Sequence, residues 1–184
     1  MQGVIKMNLN KGMVQVYTGD GKGKTTAAIG QGIRAYGNNL KVYMIQFLKG
    51  SKTGELNTIK ELGDNFKIFR FEKPRDFVWN LNEEEKDELR AEIREGYRFV
   101  LETISESKCD VLIIDEIMGV LHNKFLTIDE VVYIIDNKPN NMELILTGRD
   151  IPKEILMKSD LVTEMKCIKH YFKEGVRARK GIEY

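Results

Sequence analysis

The sequence predicts an α/β fold in which a mostly parallel central sheet lies between helices, giving three layers. Two observations predict this architecture. Apolar runs typical of strands alternate along the chain with segments typical of helices. The run at 111–114 is entirely apolar, as expected for a central parallel strand that is buried on both faces. In such a fold the ligand binds at the carboxyl ends of the strands.

The first apolar run is followed by a glycine-rich turn, Thr-Gly-Asp-Gly-Lys-Gly-Lys-Thr-Thr at 18–26, and then by a helix-like segment. Strand, glycine-rich turn and helix together form the arrangement of a phosphate-binding P-loop, so we predict a three-layer P-loop nucleotide-binding fold. Backbone N–H groups curl around phosphate oxygens there, and the helix N-terminus adds partial positive charge. The predicted nucleotide-binding residues of the loop are Gly19, Asp20, Gly21, Lys22, Gly23, Lys24, Thr25 and Thr26.

Within the loop, Lys24 supplies a mobile cation for the outer phosphates, and the Thr25 hydroxyl is suited to bind Mg²⁺. The loop departs from the P-loop consensus at Thr18, where the consensus has glycine. A glycine-rich turn without a ligand is the alternative, and the strand before it and the helix after it disfavour that alternative.

The other elements follow in order along the N-terminal half of the chain. The apolar run at 41–47 follows a Gly-Asn-Asn turn, and the residues at 66–71 alternate as in a half-exposed strand. The predicted elements of this half are strands at 13–17, 41–47 and 66–71 and helices at 25–36 and 53–62.

A long amphipathic helix at 81–107 opens the second half, with three glutamates in its first turn, where the helix dipole favours acids. The segment before it, 74–81, has neither helix nor strand periodicity. A capping box at 127–130 begins another helix. The remaining predicted elements are strands at 111–114, 143–146 and 161–166 and a short helix at 151–158.

Composition is that of one soluble domain over 1–184, with a short N-terminal segment at 1–12 and a basic C-terminal segment at 169–184. Charged residues make up 31% of the chain and the net charge is +1, which does not suggest nucleic-acid binding. Cys109 and Cys167 have no metal-ligand or redox spacing, so we expect two small core residues in a reduced, cytoplasmic protein. The sequence has no apolar run typical of a signal peptide or a membrane span.

A second candidate site is the acidic pair Asp115 and Glu116, which follows the apolar run at 111–114. P-loop proteins place a carboxylate at such a strand end, beside the Mg²⁺ of the nucleotide. Two roles are open for this pair. Either acid binds the metal directly or through water, or one acts as a base that activates an attacking water.

Several further motifs complete an ordered set with these two. They are Arg34-Ala35, Gln46-Phe47-x-Lys49-Gly50, Gly54-Glu55, Phe77-x-Trp79, Thr147-Gly148-Arg149, Lys169-His170-x-Phe172, and Gly175-Val176-x-Ala178-x-x-Gly181-Ile182-x-Tyr184. Together with the P-loop and the acidic pair, this set resembles the P-loop ATP:corrinoid adenosyltransferases from Val14 onward. The C-terminal block makes the resemblance specific, because the P-loop alone occurs in many families.

The resemblance implies transfer of the 5′-deoxyadenosyl group of ATP to the Co(I) ion of cobalamin or another reduced corrinoid, with release of triphosphate, in biosynthesis or salvage of adenosylcobalamin. Lys22, Lys24, Arg34 and Arg149 would then stabilise the departing triphosphate together with Mg²⁺. Co(I) is itself a strong nucleophile, so no enzyme base is required. The resemblance also implies a homodimer and an electron-donating reductase or flavodoxin-like partner.

Phe77 and Trp79 have two possible roles. An aromatic pair in a loop commonly packs that loop onto the core. By resemblance, the pair would instead approach the lower face of the corrin ring and exclude the axial ligand of Co(II). Because four-coordinate Co(II) accepts an electron more easily, this contact would make reduction to Co(I) feasible.

Several features leave alternatives open. Asp20 stands where family members often have asparagine, and we expect it to turn toward the ribose hydroxyls, away from phosphate. The short segment 1–12 suggests a site that is more open or is closed by a partner subunit. The basic segment 169–184 is either a solvated tail or a cover over the ligand. His122 is expected at the surface or in the core, and His170 is compatible with a structural or a ligand-binding role.

Two other functions fit the P-loop. A kinase or ATPase would transfer or hydrolyse the terminal phosphate, with Arg149 available as an arginine finger. A nucleotide-binding module without chemistry would switch its loops between states. The product released from ATP distinguishes the three: triphosphate, diphosphate, or none.

Overall fold

The computed structural model describes residues 9–50 and 53–183. The strands are β1 (Val14–Thr18), β2 (Val42–Gln46), β3 (Phe66–Phe69), β4 (Val111–Asp115), β5 (Glu143–Thr147) and β6 (Leu161–Glu164). They form a six-stranded sheet in the order β3-β2-β4-β5-β1-β6. Every pairing between these strands is parallel. The predicted sheet is therefore confirmed, and its carboxyl ends meet along one edge.

The helices are α1 (Lys24–Tyr36), α2 (Glu55–Glu61), α3 (Glu83–Ser105), α4 (Ile117–His122), α5 (Ile128–Asn137) and α6 (Lys153–Lys158). Short 3₁₀ turns occur at Val78–Asn80 and Tyr171–Glu174. The predicted helices are present, and the strands predicted at 66–71 and 161–166 end earlier, at Phe69 and Glu164. Helix α4 was not predicted, because six residues are too few to display a helical period.

Two hydrophobic clusters, one on each face of the sheet, explain the three layers. Side chains of a strand alternate between the faces, so neighbouring residues of β4 enter different clusters. Ile113 packs in the cluster that contains α1 residues, and Ile114 packs in the cluster that contains Ile93 of α3 and Ile134 of α5. Strand β4 is therefore buried along its whole length, as its apolar sequence predicts.

Two helix starts are fixed by reciprocal side-chain caps. The Asn82 side chain accepts a 2.9 Å hydrogen bond from the Glu85 N–H, and the Glu85 carboxylate accepts one from the Asn82 N–H at 2.9 Å. The predicted capping box of Thr127 and Glu130 is also present at the start of α5. These caps satisfy backbone donors that a helix N-terminus leaves unpaired.

The two cysteines differ in environment. Burial raises the pKa of the Cys109 thiol to about 12, as expected of a small core residue. Cys167 is only partly buried. Its expected place in the core was wrong, because it follows the edge strand β6 on a segment that lies against the P-loop. Within 9–50 and 53–183, none of the helices combines the length and apolar character of a membrane span.

Candidate active site

The P-loop turns back sharply after β1, and two of its glycines have left-handed backbone angles, with φ of 101° at Gly19 and 116° at Gly23. A Cβ atom at Gly19 would lie 2.4 Å from the carbonyl oxygen of Met165, and one at Gly21 would lie 2.7 Å from the same oxygen. The Gly21 N–H donates a 2.7 Å hydrogen bond to that oxygen. Glycine is therefore required where the loop contacts the chain that leaves β6.

The loop tolerates Thr18 at a position where the P-loop consensus has glycine. It is the last residue of β1 and pairs with Glu164 of β6. Its backbone is that of an extended strand, in which a threonine fits as well as a glycine. The left-handed turn begins only at Gly19.

Lys24 is the first residue of α1, and its ammonium donates to the carbonyl oxygens of Gly19 at 2.7 Å and Gly21 at 2.8 Å. Burial, and next the nearby Arg149 cation, lower the pKa of Lys24. The N-cap residue, Gly23, offers no side-chain cap to the helix. The first-turn N–H groups of α1 are thus available to an anion, and both cations lie near it.

Asp115, at the end of β4, is fully buried and holds several partners together. Its Oδ1 accepts hydrogen bonds from the hydroxyls of Thr25 at 2.9 Å and Thr147 at 2.6 Å. Its Oδ2 accepts one from the Gln46 side-chain amide at 3.1 Å. The carboxylate therefore ties the P-loop to the ends of β2 and β5.

Glu116 follows in a left-handed conformation, with φ of 62°. Its N–H donates a 2.9 Å hydrogen bond to the Thr147 hydroxyl. Its carboxylate lines the cleft beside Lys24 and Arg149. Burial, and next the Asp115 charge, raise the pKa of Glu116. The sharp turn thus directs the second acid into the cleft while the first stays within the sheet edge.

The hydroxyl of Thr25 and the two carboxylates form a set of hard oxygen donors, which fits Mg²⁺. Among the residues described, no group of three His, Cys, Asp or Glu side chains could hold a metal by itself. A P-loop site differs from such a cluster, because Mg²⁺ keeps several waters and takes further ligands from substrate phosphates.

A cleft of about 650 Å³ lies at this edge of the sheet. It brings together most of the site residues that the sequence predicts. Lining it are Asp20, Gly21, Lys22, Gly23, Lys24, Thr25, Thr26, Glu116 and Arg149. His170 and the C-terminal residues 181–183 also line it. The P-loop, Glu116 of the acidic pair and the C-terminal block therefore share one site.

The family model for ATP:corrinoid adenosyltransferase BtuR/CobO/CobP matches residues 10–184. The chain belongs to this family. It is 35% identical over 175 residues to the corrinoid adenosyltransferase of Escherichia coli strain K12, an alignment that covers 95% of this chain and 86% of that protein. The corrinoid adenosyltransferase CobA of Salmonella typhimurium strain LT2 is 33% identical, with coverage of 95% and 86%.

Solved structures show the fold. The flagellar accessory protein FlaH from Methanocaldococcus jannaschii superposes with a TM-score of 0.53 at 15% identity, over 85% of this chain and 72% of that one. At this identity the likeness concerns the architecture alone. The adenosyltransferase family is indicated by the sequence relatives.

In this family member, the C-terminal segment lies against the P-loop. Lys22 donates to the carbonyl oxygen of Ile182 at 2.8 Å and forms a 3.0 Å ion pair with Glu183. Glu183 also accepts hydrogen bonds from Tyr171 and Arg179. Residues 181–183 line the cleft, and a cover over the bound ligand stays a prediction.

Asp20 and His170 line the cleft, whereas His122 does not. Asp20 accepts a 3.0 Å hydrogen bond from the Cys167 N–H, and this bond is the main cause that lowers its pKa. Its expected turn toward a ribose stays a prediction. His122 ends α4 at the surface, as expected. His170 lines the cleft, and its Nδ1 accepts a 3.1 Å hydrogen bond from the Phe172 N–H.

Arg34 is not brought to the cleft. It lies in the last turn of α1, and ten residues of helix rise place it about 15 Å along the axis from Lys24. Its guanidinium donates to Gln31 on the same helix at 3.3 Å. We therefore correct the expectation and leave Arg34 out of the proposed site of this chain.

Phe77 and Trp79 stack on each other at the surface, with ring centroids 4.6 Å apart and planes inclined by 4°. Phe77 is 64% exposed and Trp79 is 76% exposed. They do not pack the loop onto the core, so that alternative is wrong. The loop is fastened instead by Arg75, which pairs with Glu88 and Glu92 of α3.

Sequence reasoning assigned no role to Lys49 or Thr147, although both occur in the motifs of the family. Lys49 lines the cleft and contacts both Thr25 and Asp115. The Thr147 hydroxyl donates a hydrogen bond to Asp115 and accepts one from the Glu116 N–H. The sequence could have indicated both residues, because each lies just after a predicted strand. The carboxyl ends of parallel strands converge on the ligand.

Proposed function

We propose that this protein transfers the 5′-deoxyadenosyl group of ATP to the Co(I) ion of cobalamin or another reduced corrinoid and releases inorganic triphosphate. The observation that carries the proposal is the family match over 10–184, which includes both the P-loop and the C-terminal block that line one cleft. In this reaction the cobalt–carbon bond forms as the bond between C5′ and the triphosphate oxygen breaks. The electron pair of that bond leaves with triphosphate.

Catalysis then consists of positioning and of leaving-group stabilisation. Lys24, Arg149 and Lys22 line the cleft and supply positive charge to the triphosphate. The N–H groups at the start of α1, which receive no side-chain cap from Gly23, add hydrogen-bond donors that are fixed before the reaction. No residue is needed as a base, because the nucleophile is the cobalt ion.

Mg²⁺ would be held by Thr25 and by the acidic pair, with Glu116 facing the cleft and Asp115 behind it. The oxygen donors of these three residues support this assignment. When bound, Mg²⁺ neutralises charge on the triphosphate. The protein's part is to orient the hydroxyl of Thr25, and the Asp115 hydrogen bond at 2.9 Å does so.

Phe77 and Trp79 approach the lower face of the corrin ring in this proposal. The exposure and stacking of the two rings support this role, because a large apolar surface on a solvent-exposed loop is suited to bind a flat ligand. The loop also touches the site: a Cβ on Gly50, beside Lys49, would lie 2.6 Å from the Pro74 Cα. Contact with the ring excludes an axial ligand and eases reduction of Co(II).

The same proposal includes partners. A one-electron donor, a reductase or a flavodoxin-like protein, supplies Co(I), and the protein works as a homodimer in the cytoplasm. The free thiols of Cys109 and Cys167 fit a reducing compartment.

Absorption spectroscopy tests the proposal. Chemically prepared cob(I)alamin is mixed anaerobically with the protein, Mg²⁺ and ATP, and the light-sensitive spectrum of an alkylated corrinoid is followed. We expect its formation only when protein and ATP are both present. A protein that leaves the cob(I)alamin spectrum unchanged while it consumes ATP would be a kinase or ATPase.

A further inference from the structure

The ammonium group of Lys49 lies between two residues that we assign to magnesium. Its Nζ is 3.1 Å from Oδ2 of Asp115 and donates a 3.2 Å hydrogen bond to the Thr25 hydroxyl. The Asp115 side chain is 0% exposed and that of Lys49 is 24% exposed. A protein cation thus bridges the oxygen atoms that a metal ion would use.

When no metal is bound, the positive charge on Lys49 offsets the negative charge of Asp115. A buried carboxylate without a countercharge is strongly unfavourable, and Glu116 adds a second negative charge beside Asp115. The P-loop cation Lys24 donates to backbone carbonyl oxygens of the loop. Lys49, by contrast, pairs directly with Asp115 at 3.1 Å.

Lys49 and Mg²⁺ compete for these oxygens. Mg²⁺ binds oxygen at about 2.0–2.1 Å, so an ammonium about 3 Å from the same atoms would lie within a few ångströms of the metal ion. The two cations would also repel each other in a site of low dielectric. Entry of the metal ion therefore favours movement of the ammonium away from Asp115.

The movement is confined to the side chain. The backbone beside Lys49 is held, because Gly50 packs so closely on the segment at 73–75 that a Cβ there would meet the Lys73 carbonyl oxygen at 2.7 Å. Lys49 also lines the cleft, so its flexible stem can turn into it. The displaced ammonium would then face the phosphates.

We propose that Lys49 is a resident counter-ion of the magnesium site: it neutralises Asp115 in the nucleotide-free protein, and Mg²⁺ entering with ATP displaces it toward the triphosphate. The inference rests on the proposed function for its metal site. It assigns Lys49 two successive roles, first to keep free metal ions out and then to pair with the departing triphosphate.

Mn²⁺ binding tests the inference, with electron paramagnetic resonance reporting the free ion. We compare the wild type, Lys49→Met, Lys49→Arg and Lys60→Met, which removes the same charge from the exposed face of α2. Without nucleotide, we expect Lys49→Met to bind Mn²⁺ about tenfold more tightly than the wild type, because it has lost the competing cation. Lys49→Arg and Lys60→Met should match the wild type.

A second arm repeats the titration with ATP present. If the wild type binds Mn²⁺ with ATP, and Lys49→Met shows no tighter binding without it, the counter-ion role is wrong while the metal site stands. If Mn²⁺·ATP does not bind to the wild type, the proposed magnesium site fails and the inference fails with it. Should Lys49→Met not fold, Lys49→Gln removes the charge but keeps a hydrogen-bond donor, and the same outcomes apply.

Discussion

The Thr25 hydroxyl donates a 2.9 Å hydrogen bond to Oδ1 of Asp115, which joins the P-loop to the carboxyl end of β4. The Thr147 hydroxyl donates to the same oxygen at 2.6 Å. Two hydrogen bonds on one buried oxygen fix both the carboxylate and the threonine before any ligand arrives.

Lys24→Ala should lower the rate of adenosyl transfer by at least about a hundredfold, because it removes a positive charge from the developing triphosphate. Thr25→Ala should also lower the rate, since a proposed metal ligand is lost. Turnover measured beside circular dichroism and thermal melting checks the prediction, with Lys60→Ala as the control. Wild-type turnover in Lys24→Ala would remove the P-loop lysine from the mechanism.

Glu116→Ala should show a defect that becomes smaller as the Mg²⁺ concentration rises. The carboxylate then acts through the metal, and mass action restores occupancy when a ligand is missing. Initial rates across a magnesium titration give the result. A defect that no magnesium concentration relieves, together with steady release of orthophosphate by the wild type without corrinoid, would favour a base that activates water.

Trp79→Ala should impair the reaction that begins from Co(II) with a mild reductant and should affect far less the reaction that begins from prepared Co(I). The indole is assigned to the exclusion of an axial ligand, and that step precedes alkyl transfer. Two assays on one preparation of the variant give the comparison.

The thermal melt supplies the control for Trp79. Because the side chain is 76% exposed and stacked on Phe77, its truncation should cost well under the roughly 3–5 kcal/mol of a buried aromatic. The melting temperature should therefore stay close to that of the wild type. A large fall in melting temperature with equal loss in both assays would identify Trp79 as a structural residue.

Glu72→Gln should change how the free energy of unfolding depends on pH. Oε1 of Glu72 is buried and has no hydrogen-bond partner among the described residues, and burial raises the pKa of this acid from 4.5 to about 7. The folded protein therefore holds the proton more tightly than the unfolded chain. Stability falls as pH rises from about 4.5 to about 7, by about 3 kcal/mol, and is then constant.

The glutamine variant removes that decline, so it should be more stable than the wild type at pH 8 and no more stable at pH 4. Urea unfolding at the two pH values measures the difference. Equal destabilisation by Glu72→Gln at both values would show that folding does not raise the pKa of this carboxyl, which would contradict the prediction.

The sequence predicted the parts of the site that depend on spacing along the chain. The glycine-rich loop before α1 and the acids after β4 are local patterns with a fixed structural context. The parallel sheet then brings them together, because the carboxyl ends of its strands share one edge. The exposed position of His122 also agreed with one of the two expectations for it.

Other parts depend on contacts that spacing does not encode. The ion pair of Lys49 with Asp115 joins the ends of β2 and β4, and only side-chain conformation brings the ammonium to the carboxylate. Arg34 follows the P-loop closely in sequence, yet helix rise carries it away from the phosphates. Cys167 follows a run that the sequence predicts to be a strand. Because that strand lies at the edge of the sheet, Cys167 is only partly buried.

The most direct test of adenosyl transfer is a single turnover in which the phosphate product and the alkylated corrinoid are both counted. Enzyme in excess of ATP is mixed with Mg²⁺ and reduced corrinoid, and the products are separated by ion-exchange chromatography. We predict one inorganic triphosphate for each cobalt–carbon bond formed, with no ADP. Release of ADP or orthophosphate without alkylated corrinoid would contradict adenosyl transfer and show chemistry at the terminal phosphate.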